Sequence, residues 1–475
     1  MQITQLLSSI LNKKSTFYFL LGFTGLVSLV LFFINIKVVT GDEYTYMYYV
    51  KGMHQGRYTY WYFIKDYIPD TFRNPGYPVF LYLLSFINDS VTFVKAIQLL
   101  LLFAAIFFML RIIEKYDNSL LLKNLFLILV NINFVLLSYS ALIFPEMLML
   151  LLITLIVYIE ISMENNNWTK VLLLALIYGY CFQVRPVILF IPFIRFLFFL
   201  YQYKKLSVIK NVTFITVFIL TLLPYGFWNL KHHHKFKITP IEGGAGAMYL
   251  GYWSPKMINQ LEDKLWRNVM YKDVMFNFAE MEDVPHNVEL FNNEIDSVYH
   301  VCAKYISVED TIHLTEMKKH TNLFVTHNAK YTEEREKLFN SLSVMHYIKD
   351  WKYTIKLKTY SFFRLWYTGL SFNEKGGKKS LTTLLPNIIA FVGTFTTLIL
   401  FIVYFLTCLW KRKDIIKKLA IPLLLCFYFA FFHVPFVIQS RYTIPVRMLY
   451  LFSLAFMIYK IHFTQKNTHE PHQNI

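Results

Sequence analysis

Long apolar runs broken by short charged punctuation organise most of the chain. Residues 15–36 carry no charge and are bracketed by Lys14 and Lys37. At about 1.5 Å rise per residue, such a run crosses a hydrocarbon core of roughly 30 Å. It is too long for the apolar region of a signal peptide and no small-residue cleavage site follows it, so it reads as a retained first helix. Cutting the remaining runs at their charged ends predicts about ten spans, near 16–38, 90–112, 120–141, 144–163, 170–184, 186–203, 208–226, 384–410, 417–437 and 443–462. The fifth and sixth are short, and the turn between them, Gln183-Val184-Arg185-Pro186, puts an arginine at membrane depth. They read as a re-entrant pair beside a polar cavity, because irregular backbone at that depth needs protein or water around it.

Two stretches break the apolar rhythm. Residues 40–89 form a first loop rich in interfacial aromatics, among them Tyr44, Tyr46, Tyr48, Tyr49, Tyr58, Tyr60, Trp61 and Tyr62. Its end, 77–87, is apolar but too short to span, which predicts a juxtamembrane helix lying in the interface. Residues 227–380 mix polar and apolar positions, and 332–348 shows apolar residues at helical spacing among Glu and Lys, as expected of a small, mostly helical domain. The expected organisation is a transmembrane core over 1–226 that includes the first loop, an extracytoplasmic segment over 227–380, C-terminal membrane helices over 381–463, and a cytoplasmic, disordered tail over 464–475.

Composition agrees with the pattern. Hydrophobic residues make up 56% of the chain and charged residues 16%, against about 25% charged in soluble domains. The net charge of +17 does not point to nucleic acid, because many of the cations border apolar runs: Lys13-Lys14, Arg111 and Lys115, Lys204-Lys205, Lys411-Arg412-Lys413 and Lys460. That is the positive-inside pattern, and it places both termini in the cytoplasm with the two long loops outside. The expected location is a bacterial cytoplasmic membrane. Cysteines offer no disulfide framework, since three of the four fall in spans and Cys302 is alone in the outer segment. Neither a P-loop nor a dinucleotide fingerprint is present, so no nucleotide cofactor is expected. The consecutive imidazoles His232-His233-His234 cannot all converge on one ion, and no metal is expected there.

Charges in apolar surroundings mark the candidate chemistry. Gly41-Asp42-Glu43-Tyr44 follows the first span directly, and an acid close to hydrocarbon costs about 2.5 kcal/mol or more unless something compensates it. Neighbouring side chains on a helix point about 100° apart, so Asp42 and Glu43 do not flank one bond as a pair of glycosidase acids would. One of them suffices as a general base when the leaving group is a phosphate, which needs no protonation. A phosphate needs cations instead, and guanidinium forks fit its oxygens. Arg73, Arg185, Arg441 and Arg447 all map to the outer face in this trace. Glu146, after Pro145 at the start of the fourth span, is a further intramembrane acid, although the helix dipole alone also favours an acid there. The arginines can equally snorkel to the interface, and the tyrosines can form an aromatic belt.

Four stretches in this order resemble the GT-C superfamily of membrane glycosyltransferases, in its family-39-like branch of protein O-mannosyltransferases and the lipid A aminoarabinose transferase. They are Gly41-Asp42-Glu43-Tyr44, Arg73-Asn74-Pro75-Gly76-Tyr77-Pro78, Val184-Arg185-Pro186 and Arg441-Tyr442-Thr443-Ile444-Pro445; Trp228-Asn229 with Ile241-Glu242-Gly243-Gly244 is similar to the family's segment after its seventh span. The resemblance implies an all-α, polytopic GT-C-like bundle performing an inverting sugar transfer from a polyprenyl-phosphate donor on the extracytoplasmic face. The acceptor is a lipid, a glycan or a protein. Asp42 is the implied base, Glu43 its support and Glu146 a further active-site acid, with donor-phosphate contacts from Arg73, Arg185, Arg441 and Arg447. Tyr44, Tyr77, Asn229 and Tyr442 are the implied substrate contacts, and no metal or other cofactor is implied. Two other functions remain open at this level, a glycan ligase or polymerase using a lipid-linked oligosaccharide and a lipid or glycan transporter.

Overall fold

A computed structural model describes residues 2–36, 41–164, 167–203, 208–257, 285–307, 310, 328–368, 381–436 and 439–464. Every regular element described is helical. In chain order the helices are α1 (Gln2–Leu11), α2 (Lys14–Asn35), α3 (Gly41–His54), α4 (Gly76–Ser85), α5 (Val91–Tyr116), α6 (Leu120–Ile132), α7 (Phe134–Ser138), α8 (Pro145–Ser162), α9 (Trp168–Val184) and α10 (Phe190–Tyr203). They continue with α11 (Val208–His233), α12 (Ala245–Met257), α13 (Pro285–Ala303), α14 (Ala329–Lys349), α15 (Trp351–Arg364), α16 (Leu381–Lys411), α17 (Lys413–Lys418), α18 (Ala420–His433) and α19 (Arg447–His462). Short 3-10 turns precede α8, α10 and α19.

The count of about ten spans is corrected by this structure. Six helices among the described residues are long and apolar enough to cross a membrane, Lys14–Asn35, Val91–Tyr116, Pro145–Ser162, Val208–His233, Leu385–Lys411 and Ser440–His462, or seven if the pair Leu120–Ile132 and Phe134–Ala141, bent by 70°, is one span. The physical reason is that apolarity along the sequence continues through breaks in the helix. Asn133 interrupts the run at 120–141, its side chain capping α7 at the Leu136 N–H. Val184 ends α9 because Pro186 forces Arg185 into an extended conformation (φ −150°, ψ 123°). With 14 residues, α18 reaches only about 21 Å at 1.5 Å per residue, short of a roughly 30 Å core.

The large apolar core lies among α2, α5, α6, α8, α9 and α19, where α5 packs along α8 and α9 along α11. The helical reading of 332–348 is met by α14, which packs with α12 and α13 around a second core of Tyr249, Trp253, Phe291, Cys302 and Phe339. The first loop holds two helices, α3 and α4, and its tyrosines form a small core: Tyr49, Tyr60 and Trp61 are buried against Ile64 and Ile68. These rings pack on one another, so they are spent on shaping the loop. The tail expected to be disordered lies, from 465 onward, outside the described residues.

Candidate active site

The ends of α2, α8, α9 and α19 meet at one end of the bundle, and the first loop folds over them. Asp42 and Glu43 occupy the first turn of α3, where unpaired N–H groups and the helix dipole favour negative charge. Glu146 follows Pro145 in the first turn of α8 for the same reason. Arg185 extends from the break after α9, and Arg441 lies in the 3-10 turn that leads into α19.

A single glycine brings the first loop to this place. A Cβ on Gly76 would stand 2.4 Å from the Gln183 carbonyl carbon and 2.5 Å from its oxygen and from Val184 N, so only glycine permits the approach. The Tyr180 hydroxyl donates to Gly76 O (3.2 Å), and Asn74 Nδ2 donates to Gln183 Oε1 (3.4 Å). Arg73 and Arg185, separated by more than a hundred positions in the chain, thereby face one site.

The charged groups interlock. Arg441 lies 2.9 Å from Asp42 and 3.8 Å from Glu146 Oε1, so one guanidinium bridges the two acids. Arg185 donates to Glu146 Oε1 at 2.5 Å, and Arg73 approaches Asp42 at 3.8 Å. Aromatic faces back the cations: Phe144 lies under Arg441 at 4.9 Å, Tyr46 under Arg73 at 5.2 Å and Tyr442 under Arg185 at 5.6 Å. The Tyr442 ring in turn stacks on His433 at 4.5 Å. Glu146 is fully buried, whereas the Asp42 side chain is 41% exposed. Burial acts to raise the Asp42 pKa, but the charges of Arg441, Arg73 and Arg185 and the hydrogen bond from Arg441 outweigh it and hold the carboxyl below its usual range.

Three guanidiniums stand against two carboxyl groups in the cluster, and several of its buried polar atoms have no hydrogen-bond partner among the described residues: Glu146 Oε2, Arg73 Nε and Arg441 Nε. Guanidinium forks left with free N–H groups match the oxygens of an anion such as a carboxylate or phosphate. No group of three or more His, Cys, Asp or Glu side chains with metal-site geometry occurs among the described residues. His233 is instead within 2.8 Å of Asp70 O, and His232 packs against Trp228 and Tyr67.

Other residues singled out by the sequence lie apart from this cluster. Arg447 is fully buried and donates to Leu365 O (3.1 Å) and Thr443 Oγ1 (3.0 Å), with no carboxylate partner among the described residues. Asn229 is also fully buried, and its amide clasps the carbonyls of Lys237 and Thr239. Tyr77 lies beneath Tyr46, accepting from Gln98 Nε2 at 2.5 Å, and Tyr44 is half exposed beside Tyr48. The acid that shapes the arginine loop is one that sequence reasoning passed over. Asp70 accepts from the N–H groups of Phe72 (2.9 Å) and Arg73 (2.8 Å) and from the Tyr49 hydroxyl (2.6 Å). Tyr58 and Tyr225 both donate to Arg73 O (2.8 and 3.0 Å). Its signal was an Asp bonding the backbone two and three residues on in an irregular loop, the pattern of an Asx turn.

No protein-family model matches the chain, and no curated protein sequence matches it. Among solved structures it is distantly similar to the crystal structure of ArnT from Cupriavidus metallidurans in the apo state, with a TM-score of 0.36 and 10% identity over 94% of this chain and 78% of that one. The chain itself is a multi-pass, all-α membrane protein.

Proposed function

We propose that this protein is a membrane glycosyltransferase that moves a sugar from a polyprenyl-phosphate donor to a hydroxyl or amine acceptor, with inversion at the anomeric carbon. The observation that carries the reading is Arg441, which holds Asp42 at 2.9 Å and approaches Glu146 at 3.8 Å while Arg73 and Arg185 stand beside the same two acids. The resemblance of the surrounding motifs to the GT-C superfamily supports it.

In this reading the donor phosphate is drawn by Arg441, Arg73 and Arg185. An acceptor oxygen or nitrogen attacks the anomeric carbon, the sugar–phosphate C–O bond breaks, and its electron pair stays on the phosphate under the guanidiniums. The acceptor proton passes to the Asp42 carboxylate. The resting pairing with Arg441 makes Asp42 a weak base. A phosphate that engages the same guanidiniums relieves that pairing and raises the basicity of Asp42 once the donor is in place. The charge pattern also supports an extracytoplasmic site: Lys13, Arg111, Lys115 and Lys460 lie at the ends of α2, α5 and α19 away from the acid–arginine cluster.

The test is release of prenyl phosphate by purified protein from a panel of radiolabelled polyprenyl-phosphate sugars, with and without EDTA. Release expected from the wild type should survive the chelator and fall by about 10² to 10⁴ in Asp42→Asn. Full turnover by Asp42→Asn, or no release from any donor, overturns the proposal.

A further inference from the structure

Inside the long apolar helix α5 sits a lysine with no exposed surface. The Lys95 ammonium lies 3.6 Å from Glu43 Oε1, and both side chains are fully buried. An ionisable group at such a position is costly unless it performs a task. Lys95 donates to Asn35 O at 2.8 Å, in the last turn of α2, and the Asn35 amide donates to Ala141 O at 3.1 Å. Glu43 Oε1 accepts from the Ile143 N–H at 2.8 Å. One turn further along α5, Gln98 donates to Phe144 O at 2.9 Å and to the Tyr77 hydroxyl. The network thus joins the end of α2, the first turn of α3 and the extended segment that delivers Glu146.

From this geometry we infer that Lys95 and Glu43 form a buried positioning pair that fixes Asp42 relative to Glu146. Glu43 is the immediate neighbour of Asp42, and the N–H it accepts from lies three residues before Glu146. The side chain of Glu43 therefore ties the two acids of the site together from behind, with the Lys95 ammonium 3.6 Å away as its partner. This rests on the transferase reading for its effect on turnover, whereas its structural content does not depend on that reading. Both side chains are fully buried and tie to the backbone at Asn35 and Ile143, so their role is to hold the acids that Arg441 bridges.

The experiment compares full-length wild type, Lys95→Met, Glu43→Gln and the double variant Lys95→Met/Glu43→Gln, each purified in nanodiscs. Amide hydrogen exchange is followed in peptides covering 41–48 and 139–147, together with prenyl-phosphate release. Lys95→Met, which removes the buried counter-charge 3.6 Å from Glu43, should speed exchange in both peptides by about tenfold or more and lower kcat by a similar factor with donor KM changed less than about threefold. The double variant should recover much of the protection and of kcat, because a neutral glutamine still accepts the Ile143 N–H without needing a counter-charge. Additive effects of the two substitutions on exchange, or wild-type exchange in Lys95→Met, overturn the pair. Non-additive exchange with an unchanged kcat in an active enzyme overturns the positioning role. A wild type that turns over no donor rejects the transferase reading alone, and the exchange cycle then still decides the pair.

Discussion

Replacing Gly76 by alanine adds one carbon at the contact between the first loop and the end of α9. All three atoms it would meet, Gln183 C at 2.4 Å and Gln183 O and Val184 N at 2.5 Å, belong to the backbone, so no side-chain rotation relieves the clash. Restoring an ordinary separation near 3.5 Å requires the segments to part by about 1 Å. Overpacking of this kind costs roughly 1–3 kcal/mol. The same parting moves Arg73 away from Arg185, and a displacement of about 1 Å in a reacting site is worth on the order of 10² in rate. The control is Gly25→Ala within α2, where a Cβ meets nothing within 4 Å; alanine in a helix interior should be neutral or stabilising by up to about 1 kcal/mol. Thermal unfolding in detergent, monitored by intrinsic fluorescence, reads the first effect, and prenyl-phosphate release reads the second. A Gly76→Ala protein that unfolds with Gly25→Ala and turns over donor at the wild-type rate would refute the close-approach reasoning.

Three further outcomes follow from the same geometry. Arg441→Ala should weaken donor use by an amount corresponding to a charged contact of about 1.5–3 kcal/mol, with Arg441→Lys recovering part because it keeps charge but loses the fork; an unchanged donor KM in the alanine variant removes Arg441 from the site. Asp70→Ala strands the N–H groups of Phe72 and Arg73 and the Tyr49 hydroxyl, at about 1–3 kcal/mol per buried group left unpaired, whereas Asp70→Asn keeps an acceptor and should lose less; equal unfolding midpoints for the two variants contradict the role of Asp70 in shaping the loop. The pH dependence has a definite sign: the Asp42 pKa is lowered in the free protein and a base works only when deprotonated, so the acid limb of kcat/KM should lie below the usual carboxylate range. The limb of kcat should lie higher, since bound phosphate takes up the arginines, and coincident limbs for the two parameters count against Asp42 as the base. Burial pushes the Asp70 carboxyl up to about 6, so a limb near that value that vanishes in Asp70→Asn belongs to Asp70 and not to the base.

Much of this protein is legible in one dimension because lipid leaves few options. Apolar runs must be helical where water cannot satisfy the backbone, so the all-α character and the positions of α2, α5, α8, α11, α16 and α19 follow from hydropathy. Acids and arginines set among apolar residues announce themselves for the same reason, and Asp42, Glu146, Arg185 and Arg441 were visible before any fold was known. Hydropathy does not register where a helix stops. An apolar run stays apolar across Asn133 and Pro186, and those breaks, seen only in the backbone, together with the shortness of α18 separate six candidate spans from about ten.

Which charges meet was decided by tertiary structure alone. Arg441 reaches Asp42 across 399 positions of the chain because α19 packs in the core beside α6 and α8. Arg447, six positions later on the same segment, turns into the core and binds backbone carbonyls. Asn229 and Tyr77 carry motif residues but spend their polar groups on neighbouring loop and helix. Lys95 drew no notice among the apolar residues of α5, since its partners Glu43 and Asn35 lie 52 and 60 positions away and only packing brings them within reach. The sequence by itself determines which segments enter the membrane and which groups are too costly to sit there idle, because burial acts on each residue singly. Only the folded chain decides the pairs, because an ion pair or a hydrogen bond is a property of two positions whose distance the sequence does not contain.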